Sequence, residues 1–269
     1  LIVFAIQEGQ AYDWGRIFGP VTVWMLIAAG VVMFLFFLFV QGRSPEPLVP
    51  MSLFADRNFS VASAGILVMG FLITSLVFPI TLFAQTARGL TPTQAALLSL
   101  PMAVLSGALA PVVGRLIDKS DPKWFAVGGF ATLSLSLVAY ALLMRPGISV
   151  LWLLLPSATL GAANAGIWGP LSVSATRNLP LHQAGAGSGV YNTTRQFGAV
   201  LGSAAIAALM SAQIAAHLGA GGSALSHMAT KVPPPLEAAF STAMANSVLL
   251  PAAVAVLGVL AALALAPPQ

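Results

Sequence analysis

Seven runs of mostly apolar residues, each long enough to cross a bilayer, follow one another along this chain of 269 residues. A hydrocarbon layer of about 30 Å, climbed at about 1.5 Å per residue, calls for a helix of about 20 such residues. The runs are drawn at Pro20 to Val40, Asn58 to Gln85, Pro92 to Ile117, Trp124 to Met144, Ser149 to Val173, Gly187 to Ala212 and Ser241 to Leu265. The side chains could not cover a water-soluble globule of this size: 58% are hydrophobic and 7% charged, where soluble domains carry about 25% charge. A mean hydropathy of +0.92 spreads that excess along the whole chain, so lipid is its main solvent.

The connectors are short and rich in Pro, Gly and charge: Arg43 to Pro47, Arg115 to Lys123, Arg145 to Gly147, and Arg177 to Gly185. Such tight links make successive helices antiparallel neighbours in a bundle. One link is long, Gln213 to Ala239, where Gly219 to Gly222 and Pro233 to Pro235 predict an irregular aqueous loop. Ahead of the first span, Glu8, Asp13, Trp14 and Arg16 predict a polar interfacial loop, and Leu1 to Ile6 reads as the last turns of an apolar helix that begins earlier. Sorted by alternate connectors, Arg43, Arg57, Arg115, Lys119, Lys123 and Arg177 fall on one side, and Arg16, Arg88, Arg145 and Lys231 on the other. The excess places the Arg115 to Lys123 loop, and with it the C-terminus, in the cytoplasm.

Several function classes fall away. The pI near 10 does not predict nucleic-acid binding, because the basic residues are scattered singly and flank apolar runs. With no cysteine there is no disulfide, thiolate metal site or Cys nucleophile. His182, His217 and His227 lie 35 and 10 residues apart, a spacing that puts no pair on one helix face as a metal site needs. No convergent nucleophile, acid or metal set lies at membrane depth, so the chain does not read as an enzyme.

Small residues spaced four apart mark where helices in lipid approach closely. Three rows recur: Ser106, Ala110 and Gly114; Gly161, Ala165 and Gly169; Gly198 and Gly202. Pro79, Pro101, Pro111, Pro156 and Pro170 predict bends, which suit a bundle that opens and closes. Arg195 is the one charge inside a span, about two turns into the sixth, beside Tyr191, Asn192 and Gln196. Two roles fit it: snorkelling to a headgroup layer, or a place in a cavity or gate.

The stretch from Gly187 to Gly202, Gly-Ser-Gly-Val-Tyr-Asn-Thr-Thr-Arg-Gln-Phe-Gly-Ala-Val-Leu-Gly, resembles the penultimate-helix signature of the 14-helix drug:proton antiporters of the major facilitator superfamily, the QacA and EmrB type. Pro47 to Phe59 resembles that family's loop into its ninth helix, and Gly114 to Lys123 resembles the superfamily's cytoplasmic loop motif in its C-terminal copy, with Ser120-Asp121-Pro122 in place of the usual ending. The resemblance covers essentially the whole chain. It implies an all-α polytopic membrane bundle, the C-terminal half of such a transporter with one extra helix before it. Residues 1–57 would hold the end of one linker helix and a second extra span, and residues 58–269 the six-helix half.

Function follows from the resemblance as an expectation: export of amphipathic small molecules across the cell (inner) membrane by proton antiport through alternating access. The proton gradient would be the energy source, with no bound cofactor, and the partners would be substrate, membrane lipids and the missing N-terminal half. A lipid or lipid-precursor translocator on the same fold is the alternative, since both need a wide apolar cavity. Polar or aromatic residues near mid-span make Phe78, Gln85, Asn164, Trp168, Tyr191, Asn192 and Arg195 the candidate substrate-cavity set. Gly114, Arg115, Asp118 and Lys119 are the candidate cytoplasmic gating loop, whose charges could pair at the seam or simply set topology. No acid lies at membrane depth, so the resemblance puts the coupling carboxylate in the N-terminal half.

Overall fold

The computed structural model describes Leu1, Ile2, Phe4, Ala5, Gly9, Tyr12, residues 15–41, Arg43, and residues 49–218 and 232–266. Expectations for Ile6, Glu8, Asp13, Trp14, Ser44 to Leu48, Gly219 to Gly222, His227 and Lys231 lie outside these.

Helix starts are written in the connectors. Asp56 caps the second span, its Oδ1 accepting from the Phe59 amide at 2.7 Å. Thr91 and Gln94 form a reciprocal capping box ahead of Pro92, and Asp121 accepts from the Lys123 amide at 3.0 Å with Pro122 in the first turn. These caps satisfy amides that lipid could not, and proline loses nothing where its N–H would be unpaired anyway. The Ser120-Asp121-Pro122 departure noted in the loop motif is therefore a helix start.

All seven spans form. In chain order the helices are α1 (Val23–Gln41), α2 (Arg57–Leu82), α3 (Pro92–Leu97), α4 (Leu100–Ile117), α5 (Pro122–Leu143), α6 (Leu154–Thr176), α7 (Ala184–Leu218) and α8 (Pro234–Leu263). A π-turn, Phe83–Ala87, prolongs α2, and α3 and α4 make up one span, Pro92–Ile117. Pro101 thus opens α4 after a break at Leu98 and Ser99 instead of bending a continuous helix.

Three expectations change. The sixth span runs from Leu181 to Leu218, longer at both ends than Gly187 to Ala212. The long loop shrinks correspondingly, because Gln213 is helical in α7 and Pro234 already in α8. The first span starts at Val23: Arg16–Phe18 and Val21–Thr22 instead pair as an antiparallel hairpin, β1 and β2, turning at Gly19 with φ of +54°.

α6 touches α4, α5 and α2; α8 touches α5, α2 and α7; and α2 lies along α7. The closest approach is between α2 and α7, two parallel helices. A Cβ on Gly198 would strike the Leu67 carbonyl, one on Gly202 the Phe71 carbonyl, and one on Gly70 the Arg195 carbonyl. At Gly161 the same test meets the Met102 backbone, so α4 sits on α6 there. In the remaining row of small residues, Ser106 is partly buried, but Ala110 is exposed and Gly114 has open space around it among the described residues.

Hydroxyls bind the helices across apolar contacts, since lipid gives a buried O–H no partner. Thr74 donates to the Ala199 carbonyl at 2.8 Å, Ser134 to the Ala252 carbonyl at 2.9 Å, and Ser136 and Thr159 share a bond of 2.7 Å. α1 stands apart: residues 31–37 are all exposed, and its Gly30 faces Leu1 and Ile2.

Candidate functional site

The bundle has two ends, defined by its connectors. At one lie Asp56, the Asp118 loop, Arg177 and Ala266; at the other, Arg88, Ile148 and Glu237.

On α2, Phe78 is largely exposed, and Gln85, in the π-turn that follows, is partly buried. On α6, Asn164 and Trp168 are half-buried and one turn apart; Asn164 spends its amide on the Leu160 carbonyl at 3.0 Å, and Trp168 packs against the core. On α7, Tyr191 is 9% exposed and its hydroxyl has no hydrogen-bond partner among the described residues. Asn192, on the exposed face, donates to the Ser188 carbonyl at 3.0 Å.

Arg195 lies deeper than two turns. It is about eleven residues into α7, some 16 Å along the axis, with its carbonyl against Gly70 in the middle of α2. The structure thus gathers Tyr191, Asn192 and Arg195 on one stretch of α7, and keeps Asn164 and Trp168 together on α6, which barely touches α7.

At the Asp118 end an open cavity of about 360 Å³ is lined by Ile117, Asp118, Lys119, Ser120, Asp121, Pro122, Val173 and Arg177. Gly114, Arg115, Asp118 and Lys119 are all exposed there. Asp118 pairs with neither Arg115 nor Lys119; among the described residues the one ion pair is Arg88 with Glu237, at 3.4 Å. The Arg88 guanidinium also donates to the Ile148 carbonyl at 2.8 Å, and the Val232 amide donates to the Thr86 carbonyl at 3.0 Å, fastening the ends of α2, α8 and the α5–α6 link.

Sequence reasoning missed the corresponding fastening at the Asp118 end. There Arg57 Nε donates to the Ala264 carbonyl at 3.2 Å, Arg177 Nη2 to the Ala266 carbonyl at 2.9 Å, and the Ala266 amide to Asn58 Oδ1 at 2.9 Å. Asn178 joins Asp56 at 3.1 Å. The available signal was arginine at a span boundary, which is drawn to the unpaired carbonyls where a helix ends. Among the described residues no three histidine or acidic side chains converge as metal ligands.

Residues 8–203 match the profile of the Major Facilitator Superfamily. The chain belongs to that superfamily. It is 42% identical over 98% of its length to an uncharacterized MFS-type transporter, Rv1250, of Mycobacterium tuberculosis, covering 46% of that protein. It is 27% identical over 79% of its length to the tetracenomycin C resistance and export protein of Streptomyces glaucescens, covering 39% of it. To the multidrug export protein EmrB of Escherichia coli it is 25% identical over 73% of its length, covering 38% of that relative. The chain therefore spans under half the length of these relatives. With seven helices long and apolar enough to cross a membrane, it is a multi-pass membrane protein of a superfamily whose drug-resistance and export members are among its relatives.

Proposed function

We propose that this chain forms the C-terminal half of an exporter of amphipathic small molecules, driven by proton antiport through alternating access. The observation that carries the reading is the α7 signature: it resembles that of drug:proton exporters, in a chain similar to export relatives, and its Arg195, whose carbonyl lies against Gly70 of α2, would sit near mid-depth, where a charge is costly unless it serves a cavity or gate. α2, α6 and α7 would contribute the wall from Phe78, Gln85, Asn164, Trp168, Tyr191, Asn192 and Arg195. The Asp118 end would face the cytoplasm of the cell membrane, with Gly114, Arg115, Asp118 and Lys119 at the gate. Residues 1–57 would serve as linker, in keeping with the lipid-exposed α1, and residues 58–269 as one half of the transporter.

Proton coupling needs an ionisable group that the conformational change carries between environments. Among the described residues the acids are Asp56, Asp118, Asp121 and Glu237, and all lie at helix ends, so this half would supply wall and gate while the coupling acid would come from the other half. Proteoliposomes holding the full-length parent and an imposed pH gradient separate the substrate classes: uptake of a lipophilic cation supports drug export. Movement of a fluorescent phospholipid with no cation transport would replace this reading with lipid translocation.

A further inference from the structure

α8 ends at Leu263, but residues 264–266 beyond it do not hang free. Leu265 is 2% exposed and joins the apolar core. Ala264 and Ala266 are held by side chains about two hundred and about ninety residues away in sequence: Arg57 and Asn58 at the start of α2, and Arg177 at the end of α6. The last four carbonyls of a helix have no partner within it; just past α8 the backbone is gripped on both N–H and C=O by two other helices and plugged by a buried leucine.

Arg177 also borders the cavity at that end, across which stand Asp118 and Asp121. Its Nη2 is spent on Ala266, while its Nε is buried with no partner among the described residues. A buried guanidinium donor left unpaired is a costly state, and carboxylates are the acceptors that suit it best. Asp118 is exposed and has no side-chain partner among the described residues, and Asp121 uses one oxygen to cap α5.

We propose that residues 264–266 are a latch joining α2, α6 and α8 at the Asp118 end. Arg177 holds the latch shut, and its guanidinium passes from the Ala266 carbonyl to the Asp118 and Asp121 carboxylates when the latch lifts. The latch itself rests on geometry alone; the idea that its lifting accompanies transport rests on the alternating-access reading above.

Cysteine labelling tests both parts, and this chain has no cysteine of its own. Leu265→Cys is placed in the full-length parent in membranes, any cysteines elsewhere in the parent being replaced by serine, with Ser120→Cys in the open connector as reference. A water-soluble maleimide should label Leu265→Cys at least about tenfold more slowly than Ser120→Cys, and adding Arg177→Gln should restore most of that difference, as expected for losing a charged hydrogen bond. Asn58→Ala, which removes the acceptor of the Ala266 amide, should act in the same direction and covers the case in which Arg177→Gln fails to insert. Equal labelling of the two cysteines overturns the latch, as does protection that survives both variants. With a gradient and substrate applied, labelling of Leu265→Cys should rise in the parent and stay low with Asp118→Asn and Asp121→Asn together; an equal rise in both overturns the exchange. Protection that depends on Arg177 in a protein that transports nothing would sustain the latch and remove the transport reading.

Discussion

Gly198→Ala should be among the most damaging single-methyl additions in the bundle. The new Cβ would land on the Leu67 carbonyl oxygen and lie 3.1 Å from the Leu67 Cα, so backbone, not a movable side chain, meets it. α2 and α7 must separate or slide by on the order of 1 Å, which also stretches the Thr74 to Ala199 hydrogen bond from 2.8 Å. Overpacking costs about 1–3 kcal/mol, and an interhelical hydrogen bond in a membrane protein contributes about 0.6 kcal/mol and at most about 1.7. The sum, about 2–4 kcal/mol, corresponds to a fall in melting temperature of roughly 5–15 °C for a unit of this size. Gly107→Ala is the control, since nothing lies within 4 Å of its Cβ position. Thermal unfolding of both variants in detergent, followed by size-exclusion fluorescence, decides the matter. Equal melting temperatures would refute the close-contact reasoning.

Arg88→Ala and Glu237→Gln should each lower stability by about 1–2 kcal/mol, Arg88→Ala the more because it also orphans the Ile148 carbonyl. A double-mutant cycle with coupling indistinguishable from zero would remove the ion pair from that account. Ser136→Ala should cost about 0.6 kcal/mol through its lost bond to Thr159, with Ser188→Ala, on an exposed stretch of α7, within about 0.5 kcal/mol of the parent. Asn164→Ala and Trp168→Ala should reduce efflux of a lipophilic cation about threefold or more without loss of folded protein; unchanged rate and specificity would take both residues off the cavity wall.

The spans were legible in sequence because lipid imposes one length and one composition on every helix that crosses it. Their ends were less so. The sixth span gains Leu181 to Ala186 and Gln213 to Leu218 because Gly185, Gln213 and His217 lower hydropathy without breaking a helix, and this moved Arg195 from about two turns to about three turns into its helix.

Small-residue rows mark where a backbone can be approached, and say nothing of what approaches it. Gly198, Gly202 and Gly161 meet helices of this chain, whereas Gly114 faces open space. Gly70 and Gly129 belong to no row, yet a Cβ on either would meet a neighbouring backbone. The contacts at Ala264 and Ala266 were hidden for a different reason: arginine at a span boundary signals a carbonyl partner, but backbone carbonyls carry no residue signature, so the sequence does not say which one it binds.

The central claim is tested most directly by efflux of a lipophilic cation from vesicles containing the full-length parent, measured with the proton gradient intact and collapsed, beside an Arg195→Ala variant. The account predicts gradient-dependent efflux that disappears on collapse and falls at least about tenfold in the variant. A folded, inserted parent that moves no cation under any gradient would contradict it.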